Sequence, residues 1–200
     1  MLVCDGPSDA GLGNHIQSLL VGAGALQVNW TASYVGRRLT EKIALGLDQS
    51  SYPNMLFVHR DAEGADPNDR YIEIRSAVNA SGYTGPLTPI VPRRTIEAWL
   101  LLDGPAIREI VGRPRGTEPL ALPQPRDIER DVNPKERLRQ ALLVASAPRG
   151  RRRVKRFNAN WENYRNQLLE NLPIGGPLER LESWTRFRDD TIAALNLLSN

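Results

Sequence analysis

Apolar and polar residues along the first half of the chain fall into two repeating patterns. Short apolar runs, or runs that alternate apolar with polar residues, are bounded by turn-forming residues and predict strands at 2–4, 25–33, 55–59 and 87–91. Longer stretches with apolar residues three and four positions apart predict helices at 11–21, 35–47 and 68–80. This alternation predicts an α/β fold: a mostly parallel sheet with right-handed crossovers and helices on both faces.

The pattern changes after the fourth strand, where proline becomes frequent and the strand signal ends. Pro86, Pro89 and Pro92 mark the run at 87–91 as an edge or irregular strand. Helices are predicted from Arg93 toward Asp103 and over 106–111, followed by an aperiodic, proline-rich crossing segment at 112–126. Further helices are predicted at 134–146, 160–172 and 177–198, the last broken near Ser183. We therefore expect an α/β domain over 1–111 and a helical C-terminal extension over 112–200 that packs on it.

Charge is distributed unevenly over the 200 residues and changes the interpretation of the second half. The net charge is +3, but residues 1–100 carry 8 Lys/Arg against 10 Asp/Glu, whereas residues 101–200 carry 18 against 13. An acidic first half joined to a basic second half is typical of a protein whose partner is a polyanion. Nucleic acid is therefore the predicted partner.

Cysteine content and hydrophobicity exclude several other classes. The single Cys4 excludes an internal disulfide and a cysteine-based metal cluster, and it is expected to be a buried small hydrophobic residue. The start of the chain lacks the pattern of an export signal, and no apolar run approaches membrane-spanning length. We expect a cytoplasmic protein without a membrane partner, while the sequence leaves the oligomeric state open.

Two acidic turns follow predicted strands and are the main candidates for chemistry. The first runs from Asp5 to Asp9, and the second contains Asp61 and Glu63. Because ligands of open α/β sheets bind outside the carboxyl ends of the strands, these carboxylates are expected to face one crevice. Oxygen ligands suit hard cations, so we predict a Mg²⁺ or Mn²⁺ site formed by Asp5, Asp61 and Glu63. The alternative is an ordinary strand-to-helix turn, with Ser8 as N-cap and Asp9 in the first helical turn.

Glu97 and His59 extend this candidate site. Glu97 follows the fourth strand and is equally consistent with a site residue and with a first-turn glutamate that favours the helix dipole. The predicted catalytic set is therefore Asp5, Asp61, Glu63 and Glu97. His59 adjoins this set, and a hydrogen-bonded structural role is expected for it.

Basic residues predict where phosphate groups bind. Arg60, Arg93 and Arg94 lie beside the acidic turns, and guanidinium groups match phosphate oxygens bidentately. A second group follows Gly150, where Phe157 and Trp161 add aromatic rings suited to base stacking. Its predicted nucleic-acid-binding residues are Arg151, Arg152, Arg153, Lys155 and Arg156. The alternative for this run is a solvated basic loop without specific chemistry.

The order of these motifs resembles the Toprim-like DUF4276 family of uncharacterised bacterial proteins. The resemblance rests on Asp5–Asp9, Arg60–Glu63 and Arg93–Asp103, and it covers most of the chain. It implies a Toprim-like Rossmannoid sheet, related to overcoming-lysogenization-defect-type nucleases, with strand-end carboxylates that hold Mg²⁺ at a phosphodiester and with roles in phage defence. The chain has Asp5 where the family has Glu, and Asp61-x-Glu63 where the family has Asp-x-Asp.

Two classes of function follow from the motifs and the resemblance together. The first is a Mg²⁺- or Mn²⁺-dependent nuclease acting on DNA or RNA phosphodiesters, with a protein partner from a defence system. The second is a non-catalytic subunit that binds nucleic acid or protein and keeps a degenerate Toprim site. A small-molecule phosphotransferase or phosphatase is a distant third.

Overall fold

Four short parallel strands form the sheet of the computed structural model, which describes residues 1–50 and 52–198. The strands are β1 (Leu2–Val3), β2 (Ala32–Ser33), β3 (Leu56–His59) and β4 (Leu87–Ile90). The helices of the first half are α1 (Leu12–Gly22), α2 (Leu39–Gln49) and α3 (Pro67–Ala80). Those of the second half are α4 (Glu97–Leu100), α5 (Gly104–Ile110), α6 (Pro134–Ser146), α7 (Arg151–Glu170) and α8 (Glu182–Asn196).

The sheet has the order β2-β1-β3-β4, and every neighbouring pair is parallel. Residues that alternate along the strands enter two different clusters of buried side chains. Leu2 and Phe57 pack on the side of α1 and the C-terminal helices, whereas Val3 and Leu56 pack on the side of α2 and α3. Helices therefore cover both faces, which confirms the predicted α/β class and is consistent with a Rossmannoid fold.

The predicted strand at 25–33 is wrong over most of its length. Only Ala32 and Ser33 pair with β1, and Leu26 is fully exposed to solvent. The alternation of Leu26, Val28 and Trp30 does not mark a sheet face, because the segment runs irregularly and Trp30 packs against Gly13 of α1. Period-two alternation in isolation cannot distinguish a strand from such a packed connection.

The C-terminal helices share one hydrophobic cluster with the sheet and α1. Trp99 of α4 lies edge-on to Trp184 of α8, with ring centroids 5.2 Å apart, and it also stacks on Phe187. These three side chains are fully buried. The extension at 112–200 is therefore integral to the core that supports the sheet.

Helix boundaries differ from the predictions at three places. The helix expected from Arg93 is reduced to the four residues of α4. α7 begins at Arg151, nine residues before the predicted start, because arginine and lysine are good helix formers and the charged run continues the helix. The segment predicted at 177–198 is broken at Leu181, close to Ser183 as predicted, but its first part is a 3₁₀ turn instead of an α-helix.

Membrane-spanning helices are lacking in the described part of the chain, where no helix combines the length and hydrophobicity that a bilayer requires.

The contact between Gly13 and Trp30 gives a stability prediction for the first crossover. A Cβ atom at Gly13 would lie 2.4 Å from three atoms of the Trp30 ring, whereas at Gly22 of the same helix nothing lies within 4 Å. We expect Gly13→Ala to lower the free energy of unfolding by about 1–3 kcal/mol through overpacking. The matched Gly22→Ala is expected to raise it by up to about 1 kcal/mol, since alanine favours helix. Urea unfolding of both variants measures the difference, and equal stabilities would contradict this packing.

Candidate functional site

Carboxylates from three successive strand ends meet at the carboxyl edge of the sheet. Asp5 and Asp9 follow β1, Asp61 follows β3, and Glu97 opens α4 after β4. Because the strands are parallel, their carboxyl ends lie on one side of the sheet. Asp9 and Glu97 are buried, whereas the Asp5 side chain is 40% exposed. The structure thus brings together four acidic side chains at the predicted position.

Arg165 of α7 occupies the centre of this acidic group. Its Nη2 lies 2.7 Å from Asp9 Oδ1, and its Nε lies 3.1 Å from Glu97 Oε1. The same guanidinium donates through Nη1 to the main-chain oxygen of Ser8. Arg165 is itself buried, so two buried carboxylates share one buried cation.

Lys42 and Arg60 neutralise Asp5. Lys42 Nζ lies 3.2 Å and Arg60 Nη1 3.0 Å from Asp5 Oδ1. Lys42 Nζ also donates to the main-chain oxygens of Asp5 (2.8 Å) and Cys4 (3.4 Å), which fixes the ammonium at the end of β1. Arg60 continues to Glu73 of α3, at 3.4 Å. Arg60, which was predicted to contact phosphate, therefore forms ion pairs with carboxylates of its own chain.

His59 lies fully buried between two carboxylates. Its Nε2 is 3.2 Å from Asp61 Oδ1, and its Nδ1 is 3.8 Å from Asp9 Oδ2. Neither ring nitrogen has a hydrogen bond of acceptable direction among the described residues, although the separation from Asp61 alone would allow one. Burial would lower the pKa of His59, but the carboxylates of Asp61, Asp9 and Asp5 outweigh it and raise the pKa.

Asp61 combines a structural role with the pairing to His59. Its Oδ1 accepts a hydrogen bond of 3.0 Å from the main-chain nitrogen of Ile96, which holds the β4–α4 connection in place. Burial raises the pKa of Asp61, and Glu97 and Asp9 add to this increase while His59 opposes it. Both shifts favour the protonated form of the His59–Asp61 pair.

Glu63 is not brought to the other carboxylates. Its side chain is 73% exposed and lies 3.6 Å from Arg70. Its backbone has a positive φ of 53°. Its main-chain nitrogen donates a hydrogen bond to the main-chain oxygen of Arg94, which ties this loop to the β4–α4 connection. Across the described residues, no group of three or more His, Cys, Asp or Glu side chains is placed to hold a metal ion. Asp5, Asp61 and Glu63 therefore do not form one ligand set in this arrangement.

Cys4 at the end of β1 is a buried, inert neighbour of this site. Burial raises the pKa of the thiol to about 12, with further contributions from Asp9 and Asp5. The thiol donates to the main-chain oxygen of Gly6 at 3.2 Å. As predicted, Cys4 is a small core residue, since a thiolate would be needed for nucleophilic chemistry.

The other predicted basic residues lie in two different settings. Arg93 is half-exposed and 3.7 Å from Glu182, and with Arg94 and Arg130 it lines an open cleft of about 480 Å³ beside Gly64. The basic start of α7 is exposed; we use this name for Arg151, Arg152, Arg153, Lys155 and Arg156. Phe157, predicted to stack on bases, is instead buried and stacks on Tyr164 at 5.9 Å. That prediction is wrong because Phe157 lies on the inner face of α7.

Arg165 and Lys42 are the site residues that the sequence interpretation missed. Arg165 lies four residues after Trp161 and three before Leu168, which places it on the inner face of α7. Lys42 similarly lies three residues after Leu39 and four before Gly46, on the inner face of α2. A charged side chain at an inward helical position was the available signal, because such a charge requires a buried partner.

No protein-family model, curated protein or solved structure matches this chain. The resemblance to the Toprim-like family therefore stays a prediction.

Proposed function

We propose that this protein binds nucleic acid through the basic start of α7, and that its carboxylate site acts as a charge-neutralised structural centre. The observation that supports binding is the position of the basic residues within the helix. Five of the first six residues of α7 are arginine or lysine, and the first turn contains no acidic residue. The positive end of the helix dipole adds to their charge.

This arrangement is electrostatically unfavourable until an anion binds. Among the described residues, no carboxylate lies within 4.0 Å of any side chain in the basic start of α7. The cap residue Gly150 offers no side chain to accept hydrogen bonds from the first turn. A phosphate group supplies the missing negative charge, and guanidinium groups bind it bidentately. A polyanion with regularly spaced phosphates uses several of these side chains at once.

The charges of the carboxylate site favour the non-catalytic subunit over the nuclease. Four carboxylates are opposed by Lys42, Arg60 and Arg165 and by His59, whose pKa is raised. A divalent cation binds where carboxylate charge is left uncompensated, whereas here Asp5, Asp9 and Glu97 each contact a lysine or arginine of the chain. These ion pairs disfavour binding of Mg²⁺ or Mn²⁺ in this arrangement.

The Mg²⁺- or Mn²⁺-dependent nuclease is the second candidate, and the site itself supplies one observation for it. Asp5, Asp9, Asp61 and Glu97 converge at the edge where α/β enzymes bind substrates, and both buried nitrogens of His59 lack hydrogen bonds. Unsatisfied polar atoms at such an edge are typical of sites that bind a ligand. A protein partner from a defence system also remains a proposal.

A combined binding and cleavage assay distinguishes the two candidates. Purified protein is incubated with single-stranded and duplex DNA and RNA in buffers that contain Mg²⁺, Mn²⁺ or a chelator. We expect binding under all conditions and no cleavage. Cleavage that requires metal and disappears in both Asp61→Ala and Asp61→Asn would overturn the structural role and establish the nuclease. Cleavage that persists in both variants would identify a contaminating enzyme.

A further inference from the structure

A cleft beside α7 combines an aromatic ring with cations and one hydroxyl group that lacks a hydrogen-bond partner. It has a volume of about 440 Å³ and lies between the N-terminal part of α6, the β4–α4 connection and α7. Trp161, half-buried, contributes its ring, and Lys135 and Arg139 contribute positive charge. The volume falls within the range of about 300–1,000 Å³ that is common for ligand clefts.

The polar groups of the cleft are suited to a nucleobase. The Thr95 hydroxyl is buried and has no hydrogen-bond partner among the described residues. The amide side chain of Asn133 also lines the cleft, so a donor and an acceptor are both present. The carboxylate of Glu136 is already engaged by Gln140 at 2.7 Å and by Arg139 at 3.6 Å. Asn133 can therefore hydrogen-bond a flat ring at the surface of the cleft, whereas the Thr95 hydroxyl does so only once a side chain that shields it moves aside.

One face of the Trp161 ring already carries a cation. Lys135 Nζ lies 5.6 Å from the centroid of the ring. A base that stacks on this face takes the place of the ammonium group, which is held there only by a weak cation–π contact. When a base stacks on the ring, the same ammonium is placed to meet the adjoining phosphate.

The cleft lies in line with both the basic start of α7 and the carboxylate site. Trp161 follows Arg156 by five residues, which is roughly 8 Å along a helix. Arg165, four residues further on the same face, reaches Asp9 and Glu97. Residues five positions apart on a helix also differ by roughly 140° in direction, so a strand bound to the basic start of α7 reaches Trp161 by curving around the helix.

We infer that this cleft receives an unstacked base of single-stranded nucleic acid, so that the protein prefers single strands to duplexes. The inference rests on the proposed nucleic-acid binding and adds the substrate class. In a duplex the bases are stacked and paired, so their faces cannot contact Trp161. Base stacking on an aromatic side chain tolerates any sequence, hence little sequence preference is expected.

The test compares Trp161→Ala and Trp161→Phe with the wild-type protein, using labelled 12-nucleotide DNA and RNA single strands and the corresponding duplexes. In fluorescence anisotropy we expect Trp161→Ala to weaken single-strand binding by roughly 5- to 100-fold and duplex binding by less than about twofold. Trp161→Phe, which retains a ring, is expected to keep most of the affinity. Trp30→Phe, outside the cleft, is the matched control and should bind as the wild type does.

Intrinsic fluorescence provides a readout that does not depend on the alanine variant folding. Trp99 and Trp184 are fully buried, and Trp30 is half-buried outside the cleft. Quenching by a single strand should therefore persist in Trp30→Phe and disappear in Trp161→Phe. Equal affinity for single strands and duplexes, with quenching unchanged in Trp161→Phe, would refute the cleft while leaving the proposed function in place. Lack of binding to every nucleic acid by the wild-type protein would instead refute the proposed function.

Discussion

Replacing Arg165 with methionine is expected to lower the free energy of unfolding by about 3–5 kcal/mol. The substitution keeps an unbranched apolar side chain but removes the cation shared by Asp9 and Glu97. Both carboxylates are at least nine-tenths buried, so their charges would be left without compensation in a medium of low polarity. In the variant, the two carboxyl groups would either stay ionised, which lowers the stability of the fold, or bind protons.

Chemical denaturation at neutral pH measures this effect, and two further variants sharpen it. Arg126→Met, at an exposed arginine, is the matched control and should change stability by less than about 0.5 kcal/mol. Adding Asp9→Asn and Glu97→Gln to Arg165→Met removes the unpaired charges and should recover part of the loss. An Arg165→Met protein as stable as the wild type would show that the carboxylates are not neutralised by α7.

The second large effect is expected on binding. Changing Arg151, Arg152 and Arg153 together to alanine should weaken binding to a single-stranded 12-mer by roughly 10- to 100-fold at moderate salt. The three side chains are exposed and lack carboxylate partners in the described chain, so they are available for phosphate contacts. Alanine also preserves the helix, since it has the highest helix propensity.

A control of equal net charge separates a local contact from a general electrostatic effect. Arg37, Arg38 and Arg115 are exposed arginines outside α7. Their combined replacement by alanine removes the same three charges and should weaken binding by less than about threefold. Equal losses in the two triple variants would indicate a non-specific attraction to the whole protein, without a binding segment in α7.

Strands and helices with strong local patterns were predictable from the sequence. The apolar run before Asp61 and the helix at Pro134–Ser146 have such patterns, and both are confirmed. The segment at 25–33 was not predictable in this way, because its alternation serves packing of Trp30 on Gly13. The local sequence shows how often apolar residues recur in a segment. Whether that segment pairs as a strand depends on residues that are distant in the sequence.

The sequence predicted the place of the candidate site, at the carboxyl ends of the strands. Asp5 and Asp61 lie where parallel-sheet geometry places residues after strands, and Glu97 joins them. The cations that neutralise them come from α2 and from α7, the latter more than 150 residues after Asp9. Arg165 reaches the carboxylates only because α7 packs against the sheet. The sequence of the acidic turns therefore contains no information that identifies Arg165 as their partner.

The salt dependence of single-strand binding tests the central claim most directly. Affinities of the wild type and of the Arg151, Arg152 and Arg153 triple variant are measured by anisotropy between 50 and 200 mM salt. We expect a linear, negative log–log plot for the wild type and a slope smaller by about 2 in the triple variant, since each lost phosphate contact removes about 0.7. The absence of wild-type binding at low salt, or identical slopes for both proteins, would contradict binding through the basic start of α7.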